Sequence, residues 1–149
     1  MEIVEQPLLS FLGVDIINVN FAATAQMEQN SFDALKSILT PRIYYPANAP
    51  LKFNISMDVT LEVENCFVLN VNAVGFFEFS DKITDENKKT LQIVNAPAIM
   101  FPYVRAFITT LTSNMGNSVK KITLPPLFFK GDIEVIMLNE NNEPQKIVE

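Results

Sequence analysis

Residues 97–129 read PAIMFPYVRAFITTLTSNMGNSVKKITLPPLFF and carry the clearest structural signals of the chain. A helix is predicted over residues 101–115, with apolar side chains along one face. Pro102 falls in its first turn, where proline is tolerated because the missing N–H has no partner there. Gly116 follows, as is typical of the residue just beyond a helix end. The stretch therefore predicts one long amphipathic helix followed by a proline-rich apolar loop.

Three segments before this helix carry a strand pattern. Residues 51–63 alternate between apolar and polar side chains, which predicts a strand with one buried and one solvent-facing side. Glu64-Asn65 is predicted to be a tight turn, and residues 66–79 the returning strand. Residues 11–24 are predicted to form a further strand, with a bulge near Ile16-Ile17 where the apolar phase changes.

The other segments give weaker signals. Residues 25–50 are predicted to be irregular, with a short helix over Ser31–Leu39 and prolines that interrupt regular structure after it. A short polar helix is predicted over residues 84–94, with Thr84 as its N-cap and Pro97 ending that segment. Residues 132–138 fit a strand or a helix equally well.

Length and composition predict one soluble domain. The 149 residues are 48% apolar and 19% charged, and the net charge of −6 comes with no basic cluster, which argues against a nucleic-acid role. The domain is expected to span residues 1–149, with mobile tails at 1–10 and 139–149. The sequence shows no signal peptide and no uninterrupted apolar run of membrane-spanning length, so a cytoplasmic location without membrane insertion is expected.

The residues that usually carry chemistry are scarce. Histidine is absent, which removes the commonest general base and metal ligand. The single cysteine, Cys66, is predicted to be a small buried hydrophobic residue. Asp81, Asp85 and Glu86 fit helix capping better than a carboxylate site. The four glycines form no phosphate-binding loop. We therefore expect no enzyme, no metal and no cofactor.

Three apolar clusters lie in segments predicted to be loops. Each either folds back over the sheet as a lid or helps to form a groove for apolar segments of another chain. Exposed strand edges could add backbone hydrogen bonds to an extended partner. The clusters are Phe32, Leu35, Ile38 and Leu39; Ile43, Tyr44 and Tyr45; and Leu124, Leu127, Phe128 and Phe129.

The order of these signals resembles the SecB family of bacterial export chaperones, whose signature is a Phe-Pro-Tyr-x-Arg helix followed by a Leu-x-Pro loop that ends in an aromatic residue. Asn18-Val19-Asn20-Phe21 also resembles the first strand of that family. The resemblance covers most of residues 11–129. The matching signature positions are Phe101, Pro102, Tyr103, Arg105, Ile108 and Thr109, then Leu124, Pro126 and Phe129.

The resemblance implies an α+β protomer with a four-stranded antiparallel sheet and a long helix packed beside it. It also implies an ATP-independent holdase that binds unfolded polypeptide clients, and a homotetramer built as a dimer of dimers. The implied client-binding residues are Tyr44, Tyr45, Leu127, Phe128 and Phe129. The implied oligomer interface contains Arg105, Thr109, Thr112 and Ser113.

The chain departs from the family at the positions that dock the export motor SecA. Acidic residues of the family align near Asn18, Ala22 and Asn70, which are uncharged here. Because such docking depends on charge, this departure weighs against hand-over to SecA. The alternatives are a dedicated chaperone of one client, such as an antitoxin, and a non-chaperone interaction module that shares the fold.

Overall fold

A computed structural model of the chain describes residues 8–24, 35–116, 119–126 and 132–145. Within these ranges, strands form one sheet and a long helical run packs against one of its faces, which confirms the predicted α+β class. The strands are β1 (Leu9–Ala23), β2 (Lys36–Tyr45), β3 (Lys52–Val63), β4 (Phe67–Phe79) and β5 (Glu134–Met137). The helices are α1 (Asp85–Thr90) and α2 (Ala96–Ser113), joined by a π-helical turn over Leu91–Asn95.

The sheet has the strand order β1-β4-β3-β2-β5. Strands β1 to β4 pair with one another in antiparallel fashion, as predicted. The predicted number of strands is wrong, because β5 adds a fifth strand parallel to β2, pairing Glu134–Met137 with Arg42–Tyr45. A four-residue strand is too short for its periodicity to be told from that of a helix. The sequence therefore does not decide between a strand and a helix for residues 132–138.

The three strands with clear alternation are confirmed. In β1, the register against β4 shifts between Ile16 and Asn18, which is the predicted bulge, and a second shift lies between Phe11 and Gly13. Asn65 in the turn between β3 and β4 has a φ of 59°, the left-handed conformation that asparagine tolerates. Cys66 follows this turn and is buried, as predicted.

The prediction for residues 25–50 is wrong over residues 36–45, whereas residues 46–50 form turns and irregular structure as predicted. Residues 36–45 form strand β2 and pair with β3 from Lys36 to Tyr44. Leu35 and Leu39 have helical spacing, but the pairing with β3 decides the conformation. Residues 25–34 of the predicted irregular segment lie outside the described ranges.

Pro41 lies inside β2 because its nitrogen faces away from β3. The carbonyl oxygen of Tyr45 accepts the N–H of Leu138 on the side opposite β3, at 2.9 Å. Backbone groups of every second residue in a strand point to the same side, so those of Ile43, Pro41 and Leu39 also face this side. The N–H that proline lacks would therefore have pointed away from β3, and the β2–β3 ladder loses no hydrogen bond.

The two predicted helices are one continuous run. Thr84 caps α1 as predicted, since its hydroxyl oxygen accepts the N–H of Asn87 at 3.4 Å. Pro97 does not end this segment but lies in the first turn of α2, and Pro102 lies within α2 rather than at its start. The π-helical turn allows the chain to continue from one helix into the other.

The helical run Asp85–Ser113 has 29 residues and is, by length and composition alone, able to span a membrane. In this structure its apolar face lies on the sheet. Met100, Val104 and Ile108 are fully buried there, as in a core helix. Gly75 of β4 permits this close approach, because a Cβ at that position would lie 2.7 Å from the sulfur of Met100.

Alternate residues of β3 and β4 supply most of the rest of the core, while the opposite face of these two strands is half-exposed and largely polar. Residues 139–143, just after β5, form a turn. The N–H of Asn139 donates to the carbonyl of Glu143 at 2.8 Å, and Leu138 bridges to Pro144.

Candidate client-binding site

One polar face of α2 holds the segment that follows the helix. Arg105 donates through Nε to the carbonyl oxygen of Leu124. The Thr109 hydroxyl donates to the carbonyl oxygen of Ile122 at 3.1 Å, and the Thr112 hydroxyl oxygen accepts the N–H of Ile122 at 2.9 Å. Because the three side chains lie four and three residues apart, they share one helix face. We call Arg105, Thr109 and Thr112 the helix clamp.

The helix clamp consists of three of the four residues predicted to form an oligomer interface. Thr112 is fully buried and also donates to the carbonyl oxygen of Ile108 at 2.8 Å, so it offers no surface to a second copy. Ser113 is exposed and donates to the carbonyl oxygen of Thr109 at 2.6 Å. An interface role for Arg105, Thr109 and Ser113 stays a prediction.

The clamped segment forms one wall of an apolar cavity of about 230 Å³. Leu39 and Val59 are paired across β2 and β3 and form its floor, and Phe101 of α2 lies above them. Leu124 reaches the cavity because Arg105 fixes its carbonyl oxygen. Among the described residues, the lining is Ser37, Ile38, Leu39, Val59, Phe101, Leu124 and Pro125.

An unpaired strand edge adjoins this cavity. Among the described residues, Lys36–Pro41 of β2 has no neighbour on the side away from β3, since β5 pairs only from Arg42 onwards. Ser37 and Leu39 direct both N–H and C=O to that side, and Pro41 only its carbonyl. We call Lys36–Pro41 the open edge. It shares Ser37 and Leu39 with the cavity, so an extended chain could engage both.

The structure separates the predicted client residues from this cavity. Tyr44 and Tyr45 lie at the other end of β2, roughly 20 Å from Leu39 at the usual rise of a strand. As strand neighbours they point to opposite faces, and the Tyr45 ring packs 6.3 Å from that of Phe53. Burial raises the pKa of the Tyr45 phenol. Leu127, Phe128 and Phe129 lie outside the described residues, and their client role stays a prediction.

Sequence reasoning missed part of the cavity. Ile38, Leu39 and Leu124 belong to the predicted apolar clusters. No pattern in the sequence indicates that Ser37, Val59 and Phe101 line the same cavity. Leu39, Ile43 and Tyr45 occupy alternate positions, as in a strand. This spacing predicts strand β2 if Pro41 is allowed within an edge strand. The convergence of β2, α2 and the clamped segment depends on tertiary packing.

A row of polar side chains crosses the opposite face of the sheet. Arg42 binds Glu134 of β5 at 3.0 Å and Asp58 of β3 at 3.1 Å. Asp58 also accepts from Asn72 at 2.5 Å, and Asn72 accepts from Asn18 of β1 at 2.9 Å. The hydrogen bond with Glu134 raises the pKa of Arg42. The side chains of this row therefore satisfy one another.

The positions where the family carries docking acids lie on this same face. The amide of Asn18 is engaged with Asn72, and the side-chain oxygen of Asn70 accepts from Thr60 at 2.8 Å. Both residues, like Ala22, are uncharged. A basic partner would find no carboxylate at these three positions.

The described residues offer little catalytic or metal-binding chemistry. Among them, no group of three histidine, cysteine or acidic side chains could hold a metal ion. Asp85 and Glu86 occupy the first turn of α1, where negative charge favours the helix N-terminus. Helix structure thus accounts for Asp85 and Glu86, while Asp81 lies in the turn before the helix.

A family model and a relative with a known name both indicate the same family. Residues 47–131, more than half of the chain, match the family described as Preprotein translocase subunit SecB. An uncharacterized protein of Methanocaldococcus jannaschii is 30% identical over 154 residues, covering 98% of this chain and 97% of the relative. The protein-export protein SecB of Orientia tsutsugamushi is 28% identical over 142 residues, covering 94% of this chain and 82% of the relative.

A solved structure shows the same fold. It is a SecB-like chaperone of Mycobacterium tuberculosis in complex with a ChAD peptide from the HigA1 antitoxin. The TM-score is 0.63 at 12% sequence identity, and the match covers 80% of this chain and 87% of that one. At this identity the likeness concerns the fold alone.

Proposed function

The chain belongs to the SecB family, and from this premise we propose that it is an ATP-independent holdase chaperone that binds unfolded polypeptide in an apolar groove. The family and the fold are of the chaperone type, and we propose no enzymatic activity. The observation that carries the proposal is the apolar cavity beside the open edge of β2.

The cavity and the open edge suit a client of variable sequence. An apolar cavity can bind many different bulky apolar side chains, because burying apolar surface is favourable whatever the identity of the side chain. The backbone groups of Ser37 and Leu39 can pair with any extended chain, because main-chain hydrogen bonds do not depend on side chains. A site of this kind holds a segment while it is unfolded and releases it when the segment finds its own partners. We assign Tyr44, Tyr45, Leu127, Phe128 and Phe129 to further client contacts.

We further propose a cytoplasmic homotetramer. Strand β1 is the other edge of the sheet, and an exposed apolar edge strand is usually covered by another chain. Several large apolar side chains on β1 and α2 are exposed in the single chain. They are Leu12, Ile17, Val19, Phe21, Ile99 and Tyr103. A tetramer would present several grooves to one unfolded client, which raises the overall affinity without any new kind of contact.

The second candidate is a dedicated chaperone of one client, such as an antitoxin. The uncharged Asn18, Ala22 and Asn70 argue against hand-over to SecA. The structural relative bound to an antitoxin peptide supports the idea that this fold can serve a single client. A non-chaperone module that binds one folded partner is the third candidate, and it predicts closed apolar clusters.

One experiment separates these candidates. A reduced, unfolded model protein is mixed with the chain without nucleotide, and light scattering reports aggregation. Suppressed aggregation supports the general holdase. Strong binding of an apolar dye without suppression favours a dedicated client, and the absence of both favours the interaction module.

A further inference from the structure

Strand β5 is only lightly attached to the sheet. It has four residues, and Glu134, Val135 and Met137 are exposed. It pairs with β2 alone among the described strands, and in parallel, the slightly less stable arrangement. The side chains of β5 itself therefore bury little apolar surface, while Ile133 just before the strand is partly buried against the core.

Besides the backbone hydrogen bonds of the strand pairing, two polar contacts join β5 and the residue after it to β2. The Arg42–Glu134 ion pair has side chains that are 35% and 64% exposed, and solvent screening makes such a pair weak. Beyond the end of β5, the N–H of Leu138 donates to the carbonyl oxygen of Tyr45 at 2.9 Å. We call the Arg42–Glu134 pair the latch.

β5 and the open edge occupy the same side of β2. The backbone groups of Ile43 and Tyr45 beneath β5 face the same way as those of Ser37 and Leu39 on the open edge. β5 thus demonstrates that this side of β2 accepts an added strand, and it covers only Arg42–Tyr45. Its own side chains also show what fits there, because Val135 and Met137 lie opposite Ile43 and Tyr45.

We propose that β5 is a displaceable strap, which occupies part of the edge that an extended client segment uses, and that the latch sets how easily it leaves. This proposal rests on the proposed holdase function and adds a regulation of the same site. The occupant is an unfolded polypeptide segment with apolar side chains opposite Ile43 and Tyr45, where β5 places Val135 and Met137. Without a client, the strap protects the edge from pairing with other sheets.

The strap implies a dependence on client length. A short segment can pair with the open edge and fill the cavity while β5 stays in place. A longer segment continues past Pro41, where one hydrogen bond is missing, and must displace β5 from Ile43 and Tyr45. Affinity for long segments is therefore reduced by the fraction of molecules in which the strap is closed.

A disulfide at the latch tests this directly. Arg42 and Glu134 are paired in register, so Arg42→Cys with Glu134→Cys places two thiols within reach of each other. Cys66→Ala removes the natural cysteine. The reduced form lacks the latch, and the oxidised form locks the strap closed. The matched control is Arg42→Cys with Cys66→Ala alone, examined under the same two redox conditions.

The client is reduced, carboxymethylated lactalbumin, which stays unfolded in both conditions. We expect the reduced double-cysteine form to bind it with a Kd at least roughly tenfold lower than the oxidised form, because the oxidised form has almost no molecules in which a segment can run past Pro41. The control should show no redox effect. We also expect the Leu138 amide to exchange faster in the wild-type protein when client is bound, because its bond to Tyr45 is then broken.

The outcomes are distinguishable. Equal binding by the reduced and oxidised forms, with an unchanged Leu138 amide, overturns the strap and leaves the holdase function standing. If neither these forms nor the wild-type protein binds the client, the holdase function fails and the strap fails with it.

Discussion

Thr112 holds Ile122 through a hydrogen bond from the Ile122 N–H to the threonine hydroxyl oxygen, at 2.9 Å and across ten residues of sequence. The same hydroxyl donates to the carbonyl oxygen of Ile108, so both of its hydrogen-bonding roles are used. Ile122 lies two residues before Leu124, which lines the cavity. A buried threonine on the long helix therefore helps to position the wall of the candidate site.

Replacing Thr112 with valine should destabilise the protein by about 1–3 kcal/mol, because the buried N–H of Ile122 then has no acceptor. The shape of the side chain is kept, so the loss reports the hydrogen bond. Urea unfolding measures the free energy. Thr112→Ser keeps the hydroxyl and should lose much less; equal losses for the two variants would show that the bond contributes nothing.

Replacing Ser37 with aspartate should weaken client binding by roughly tenfold or more, because its side chain lies on the same face of β2 as Leu39, and a charge beside an apolar cavity must be desolvated when a client covers it. Ser37 is exposed, so stability should hardly change. Fluorescence titration with an unfolded client gives the Kd. Val94→Asp, at a position 42% exposed on the helical run, adds the same charge as a control and should bind normally. Equal affinity in both variants would remove Ser37 from the site.

Introducing aspartate at Ile17 and Val19 together should reduce the mass of the assembly. These β1 side chains are 63% and 42% exposed in the single chain, and charge there opposes burial against a second copy. Size-exclusion chromatography with scattering detection gives the mass. Val94→Asp should leave it unchanged. An unaltered tetramer in the double variant would place the interface elsewhere, and a wild-type monomer would refute the oligomer.

Tyr45 should make stability fall at high pH. Burial raises the pKa of its phenol in the folded state. Below the pKa of about 10 that the phenol has in the unfolded chain, Tyr45 contributes its full stabilisation. This stabilisation is lost as the pH rises through the higher pKa of the folded state. Urea unfolding between pH 8 and 11 should show a steeper decline for the wild-type protein than for Tyr45→Phe. Parallel declines would contradict this assignment.

The sequence predicts those elements whose pattern is local. Strand β3 is identified by the unbroken alternation in residues 51–63, and the long helix by the apolar stripe from Val104 to Leu111. The two can be told apart because a half-buried strand and an amphipathic helix differ in the period of their apolar residues. The bulge near Ile16 is visible as a change of phase. The family signature then supplies the fold class as a whole.

The missed elements depend on distant partners. Pro41 argues against a strand unless its nitrogen is known to face the unpaired side, which only the position of β2 at an edge reveals. Strand β5 is four residues long and exists by pairing with β2. The helix clamp likewise joins Arg105 to a carbonyl group nineteen residues away, and no local pattern indicates that contact.

Site-specific cross-linking tests the central claim most directly. A benzoylphenylalanine is placed at Ser37, which lines the cavity, or at Val94, which does not, and each protein is irradiated with a reduced, unfolded client. Our account predicts strong cross-linking from position 37, little from position 94, and competition by unlabelled client. Equal cross-linking from both positions, or none from position 37 while the client is bound, would contradict a client site at the open edge of β2.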